Sequence, residues 1–196
     1  MAMTKYAIII LTMILSTQVY SQDDPYSEPV MSKKEQRKLA REKKKAEQLA
    51  EQAEYQKLLS ELIEQRRFVL EADYVSWRAQ SRHPVNSTLN FIIVDSADAV
   101  IQLGSPWGIG YNGVCGVTID GSVTKYDVSV KEGKRGTSYS IMLYITTAVG
   151  PYDIQLWISG SGNADATVRG NFSGSLTYSG RIKSPAQSRV YKGSSI

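Results

Sequence analysis

The chain is poor in metal-binding and redox-active side chains, with one Cys and one His among 196 residues. A single Cys cannot form an internal disulfide. One Cys with one His cannot fill a four-ligand zinc site, and a Cys–His nucleophile pair would have no spare member. Glycine is absent from the first 103 residues, although 15 glycines follow between Gly104 and Gly193. The apolar run YAIIILTMIL at 6–15 is about half of the roughly 20 residues that span a bilayer. At 21.7 kDa the chain has room for one domain with appendages, not for two full domains.

What is present begins with a leader. Met1 to Lys5 is short and positive, the apolar run follows, and Val19 and Ser21 fit the −3 and −1 positions of a cleavage site. This pattern predicts a signal peptide over 1–21, cut after Ser21, with an uncleaved anchor as the alternative. No Cys follows the apolar run, so lipid modification is not expected. The mature protein is expected to be periplasmic or secreted, with no transmembrane segment left after cleavage. That address argues against nucleic acid as a partner, despite a pI near 9.0.

Charge is unevenly placed. Residues 22–31 carry three acids and no base, hold two prolines, and read as a flexible acidic linker. Residues 32–67 carry a net charge of +4. Ser32 with Glu35 forms a capping-box pattern, and no Gly or Pro interrupts the run that follows, so a charged helix is predicted over 32–66. At about 100° per residue its apolar stripe changes face between Ala53 and Tyr55. Tyr55, Leu58, Leu59, Leu62 and Ile63 are bulky enough to dock on a folded body. The first half is mostly a solvated arm. Weak self-association through 32–65, or contact of the basic arm with an anionic envelope surface, is the sharper alternative.

From 67 to 196 the pattern is an antiparallel β domain. Strands are expected near 67–73, 89–95, 98–104, 115–120, 122–131, 138–147, 152–159, 164–170 and 175–182. Asp120-Gly121 reads as a two-residue hairpin turn, and Ser96-Ala97 as another. In 138–147, Ile141, Leu143 and Ile145 alternate with polar or mixed positions. In 152–159, Ile154, Leu156 and Ile158 do the same. Links this short do not hold crossover helices. The fold class is therefore mainly β: an antiparallel meander barrel, lipocalin-like, or a curved two-sheet sandwich, preceded by a long N-terminal helix.

The run NFIIVDSADAVIQLGSPWGIGYNGVCGVTIDGSVTKY, the later GNADATVRGNFSGSLTYSGRI and the closing VYKG resemble domain-of-unknown-function family 4251. The resemblance spans roughly 66–193. Its Asn-Gly-x-Gly-Gly-x-Thr motif reads here Asn112 to Thr118, with Cys115 where a Gly is usual. It implies a small exported protein of Bacteroidota with one such domain, and no activity. In the same bacteria Asp95-Ser96-Ala97 resembles an O-glycosylation acceptor, which makes Ser96 a possible modified residue.

No enzyme signature emerges. His83 lies in a polar Ser-Arg-His-Pro stretch without a second ligand, and no metal site is expected. Gly160-Ser161-Gly162 is a glycine-rich bend, not a nucleophile elbow. Asp95, Asp98, Asp120, Asp127, Asp153 and Asp165 would be the material for a carboxylate pair, yet turns and outward strand positions account for most of them. Cys115 is expected to be a small buried residue. The most unusual segment is GSPWGIGYNGVCG at 104–116. Trp107, Tyr111 and Asn112 are candidate ligand contacts there, at a barrel rim, or else Trp107 and Tyr111 plug the barrel end. The expected function is a non-enzymatic, cofactor-free binding or interaction module. Its partner would be a small apolar or sugar-like ligand, or an envelope protein. The alternative is a structural accessory that uses the helix as spacer or assembly handle.

Overall fold

The computed structural model describes residues 32–77, 82–105, 112–133, 136–170 and 174–195. Contacts divide the chain at Lys44–Lys45, and the second unit holds residues 45–196. Helix α1 runs Lys33–Glu64. Its capping box is formed in both directions: the Ser32 amide donates to Glu35 Oε2 at 3.0 Å, and the Glu35 amide donates to Ser32 Oγ at 3.3 Å. Side chains 33–51 are all exposed, whereas Leu59, Leu62 and Ile63 are buried.

Nine strands follow among the described residues: β1 Arg67–Trp77, β2 His83–Pro84, β3 Phe91–Asp95, β4 Asp98–Leu103, β5 Val117–Lys131, β6 Ser138–Thr147, β7 Gly150–Ile158, β8 Asn163–Arg169 and β9 Leu176–Lys183. The two-residue β2 pairs with β1 at Tyr74 and Val75. The other eight pair antiparallel in chain order, and β1 pairs with β9 from Val69–Lys183 to Trp77–Leu176. That last ladder closes the sheet into an eight-stranded barrel, not a two-sheet sandwich, and leaves no edge strand in the ring.

The Asp120-Gly121 dipeptide is not a turn. β5 passes straight through it, pairing with β4 up to Ser122 and with β6 from Gly121 onward. Gly121 sits where the strand changes partners. A Cβ there would lie 2.5 Å from Ile145 Cγ2 and 2.6 Å from Thr147 Cγ2. The glycine therefore serves a close approach inside a strand, which is the other meaning of Gly in a β run. Ser96-Ala97 does form the β3–β4 turn, with Ser96 exposed at a φ of 57°.

Two bulges shift the side-chain parity. In β1 the register slips between Ala72 and Tyr74, and in β5 between Val123 and Lys125. Phe68, Leu70 and Ala72 face the core before the first bulge; Val75 does so after it. The inward residues of β6 and β7 are those the alternation selects: Ile141, Leu143, Ile145, Ile154, Leu156 and Ile158, all buried. Small Ala99, Ala164 and Ala166 leave room for Leu59, Leu62 and Ile63, which join the same core. The Tyr55 hydroxyl donates to the Ile182 carbonyl at 2.8 Å. The Tyr126 hydroxyl donates to the Ile63 carbonyl at 2.9 Å, satisfying a last-turn acceptor of α1. The C-terminal half of α1 thereby covers the barrel end formed by the start of β1 and the end of β9.

A second layer lies outside the barrel. Val69, Glu71, Phe91, Gln102 and Thr118 point away from the interior yet are buried, and residues 188–193 bond to Glu71 and Gln102 among them. Glu71 accepts from Lys183 Nζ at 2.6 Å, Ser188 Oγ at 2.8 Å and the Arg189 amide at 3.2 Å. Gln102 donates to the Tyr191 carbonyl at 2.8 Å and accepts from the Gly193 amide at 2.9 Å. A Cβ on Gly193 would lie 2.5 Å from the Asn112 carbonyl oxygen. The tail is thus a strap held by buried polar side chains of β1 and β4.

Candidate functional site

The barrel end opposite the helix holds a cavity of about 270 Å³. Its walls come from strand ends that are distant in sequence. Trp77 ends β1, Ile101 and Leu103 end β4, and Val117 and Ile119 begin β5. Tyr152 lies near the start of β7, Val168 near the end of β8, and Leu176 and Tyr178 begin β9. Antiparallel pairing brings these ends together, because each strand that leaves the rim is followed by one that returns to it. Trp77 is 40% exposed at the mouth, whereas Tyr178 is fully buried. Among the described residues, none that lines it is charged.

The described wall is mainly apolar. Burial pushes the phenols of Tyr178 and Tyr152 above the usual tyrosine range, so both stay neutral. Among the described residues of the lining, none is a nucleophile activated by a base and none is a metal ligand of the usual kinds. Among the described residues no group of three or more His, Cys, Asp or Glu is placed to hold a metal ion.

Of the sequence candidates, Trp107 and Tyr111 lie outside the described residues. The strand ends flanking their segment, Leu103 and Val117, line the cavity. Asn112 is buried and serves its own loop: Oδ1 accepts from the Val114 amide at 3.3 Å and the Gly116 amide at 3.4 Å, and Nδ2 donates to Thr118 Oγ1 at 3.3 Å. Thr118 Oγ1 then donates to Gln102 Oε1 at 2.9 Å. The Asn112–Thr118 motif is therefore joined through Gln102 to the C-terminal strap. Cys115 is exposed, not buried as expected, at a φ of 49°. The loop turns through a left-handed position there, which directs the side chain to solvent.

Ser96 stands in an exposed turn. His83 is exposed on β2. Five of the six candidate aspartates sit in ion pairs: Asp95 with Arg67, Asp120 with Lys192, Asp127 with Lys125, Asp153 with Arg169 and Asp165 with Arg82. For Asp120, burial raises the pKa, but bonds from Lys192 and Ser195 and the Lys192 charge outweigh it, and the net shift is downward. Trp77 was missed because the bulge after Ala72 breaks the alternation that defines β1. An aromatic four residues past a predicted strand end was the available signal.

Comparison with known proteins places this barrel. The sequence model of a domain of unknown function, DUF4251, matches residues 50–182, from the second half of α1 through β9 to Ile182. The crystal structure of a DUF4251 family protein from Bacteroides eggerthii DSM 20697 is similar. The two share 31% identity and a TM-score of 0.52, over 66% of this chain and 87% of that one. No curated protein matches.

Proposed function

The chain belongs to the DUF4251 family, and from that premise we propose that it is an exported, non-enzymatic module that binds a small apolar ligand in the mouth of its barrel. The observation that carries this reading is the cavity of about 270 Å³ whose described lining residues are uncharged and rich in aromatics. Ligand pockets are typically concave, mostly apolar and about 300–1,000 Å³, and this one stands at the small end of that range. The opposite barrel end is filled by Leu59, Leu62 and Ile63, so a ligand has one way in. Apolar fluorescent probes such as 1-N-phenylnaphthylamine should brighten on mixing with the protein. Val168→Trp, which fills the cavity from β8, should abolish the signal without lowering the melting temperature. A signal that survives this substitution would place the probe elsewhere.

Export belongs to the same proposal. N-terminal sequencing of the protein from the envelope fraction should begin at Gln22, and a mature chain that still starts at Met1 contradicts it. A second reading, α1 as a spacer or assembly handle, draws on the exposed side chains of 33–51. A dimer in sedimentation that is lost on deleting 33–50 would favour it.

A further inference from the structure

We infer that the ligand of this cavity is uncharged at its buried end and carries an oxygen there that accepts a hydrogen bond from Tyr178. This rests on the cavity being a binding site, and it names the class of ligand: a ketone, ester or alcohol on an apolar body, not a carboxylate and not a plain hydrocarbon.

Two observations carry it. Tyr178 lines the cavity with no exposed surface, and its hydroxyl meets no hydrogen-bond partner among the described residues. Buried polar atoms in folded proteins are paired in the large majority of cases, and an exception calls for a reason. Phe in place of Tyr would fill the same space without leaving an unpaired hydroxyl. The hydroxyl has no surface open to water, so a ligand oxygen reaches it by displacing part of the cavity wall, and that converts the unpaired group into a hydrogen bond. Second, among the described residues the lining offers no Lys, Arg or His. An ionised carboxylate pushed into such a wall would lose its hydration with no counter-charge to replace it, the costliest burial there is. Burial also holds the phenol of Tyr178 protonated, so it acts as a donor. An acceptor oxygen on an uncharged molecule is the group that suits both conditions.

The test uses three probes of matched shape: 2-acetylnaphthalene, 2-ethylnaphthalene and 2-naphthoate. Each is titrated by calorimetry into the whole chain and into its Tyr178→Phe variant. Removing the hydroxyl should weaken 2-acetylnaphthalene about 5- to 12-fold, the worth of one hydrogen bond in a dry site. It should leave 2-ethylnaphthalene within about 2-fold, and the variant should melt no lower than the parent. The naphthoate should bind at least about 10-fold more weakly than the acetyl compound. Equal effects of Tyr178→Phe on the acetyl and ethyl probes would overturn the inference while leaving the cavity a binding site. So would naphthoate binding as tightly as the ketone. If none of the three binds either variant, the binding-module reading itself falls.

Discussion

Glu71 is the pin of the C-terminal strap, and replacing it with Gln tests whether that strap is held by charge. The Glu71 side chain is only 8% exposed and accepts three hydrogen bonds, two from the tail (Ser188 Oγ and the Arg189 amide) and one from Lys183 Nζ at the end of β9. Bonds to a charged group contribute about 1.5–3 kcal/mol each at most. Lys183 is 41% exposed, so water recovers part of its share when the carboxylate is lost. Glu71→Gln keeps the shape and should therefore cost about 2 kcal/mol at pH 7. In a domain of this size that lowers the melting temperature by about 4–8 °C. Burial acts to raise the pKa of Glu71, but the bonds from Lys183, Ser188 and Arg189, with the Lys183 charge, outweigh it and the net shift is downward. A carboxyl depressed in the folded state stabilises fully above its unfolded pKa, about 4.3, and the gain is lost as pH falls through the folded value. The gap between parent and variant should therefore be constant from pH 7 to about pH 5 and narrow progressively below about pH 4.3. Melting curves of the two proteins across pH 2–7 supply the measurement. A gap absent at pH 7, or unchanged down to pH 2, would refute the reasoning.

Leu59→Ala should destabilise by about 3 kcal/mol or more in urea titration, because Leu59 is fully buried. Leu49→Ala on the same helix, where Leu49 is 58% exposed, should change stability by less than about 0.5 kcal/mol; similar losses would contradict the division of α1. Gly121→Ala should destabilise by about 1–3 kcal/mol, since its Cβ would enter the space of Ile145 and Thr147. A neutral result there would mean that β5 does not run continuously through Gly121. Cys115→Gly should stabilise by about 0.5–1 kcal/mol, because Cys115 holds a φ of 49° that glycine adopts without strain. A lower melting temperature for that variant would show that the side chain makes a contact worth more than the backbone strain.

Some of this architecture is local and was legible in the residues. Ser32 and Glu35 signal a helix start through bonds spanning three residues. The alternation at Ile141, Leu143 and Ile145 selects an inward face, since a strand has period two. Tyr55 to Ile63 marks the docking stretch of α1 by its bulk. The mainly β class and the single leading helix follow from such short-range patterns. Closure does not. It depends on β1 pairing with β9, residues 99 to 114 positions apart, and no local period encodes a partner at that distance. Asp120-Gly121 suits a tight turn and a continuous strand equally well, and the pairing of β5 with β4 and then with β6 decides between them. The cavity has the same origin. Trp77, Leu103, Val117, Val168 and Tyr178 are unremarkable in sequence and become one wall only when strand ends meet at a rim. The strap shows no periodicity at all. Its place is set by Glu71 and Gln102, whose buried polar atoms find their hydrogen bonds in the tail. Residues alone state the conformation each segment prefers, and long-range pairing of buried groups states which segments meet.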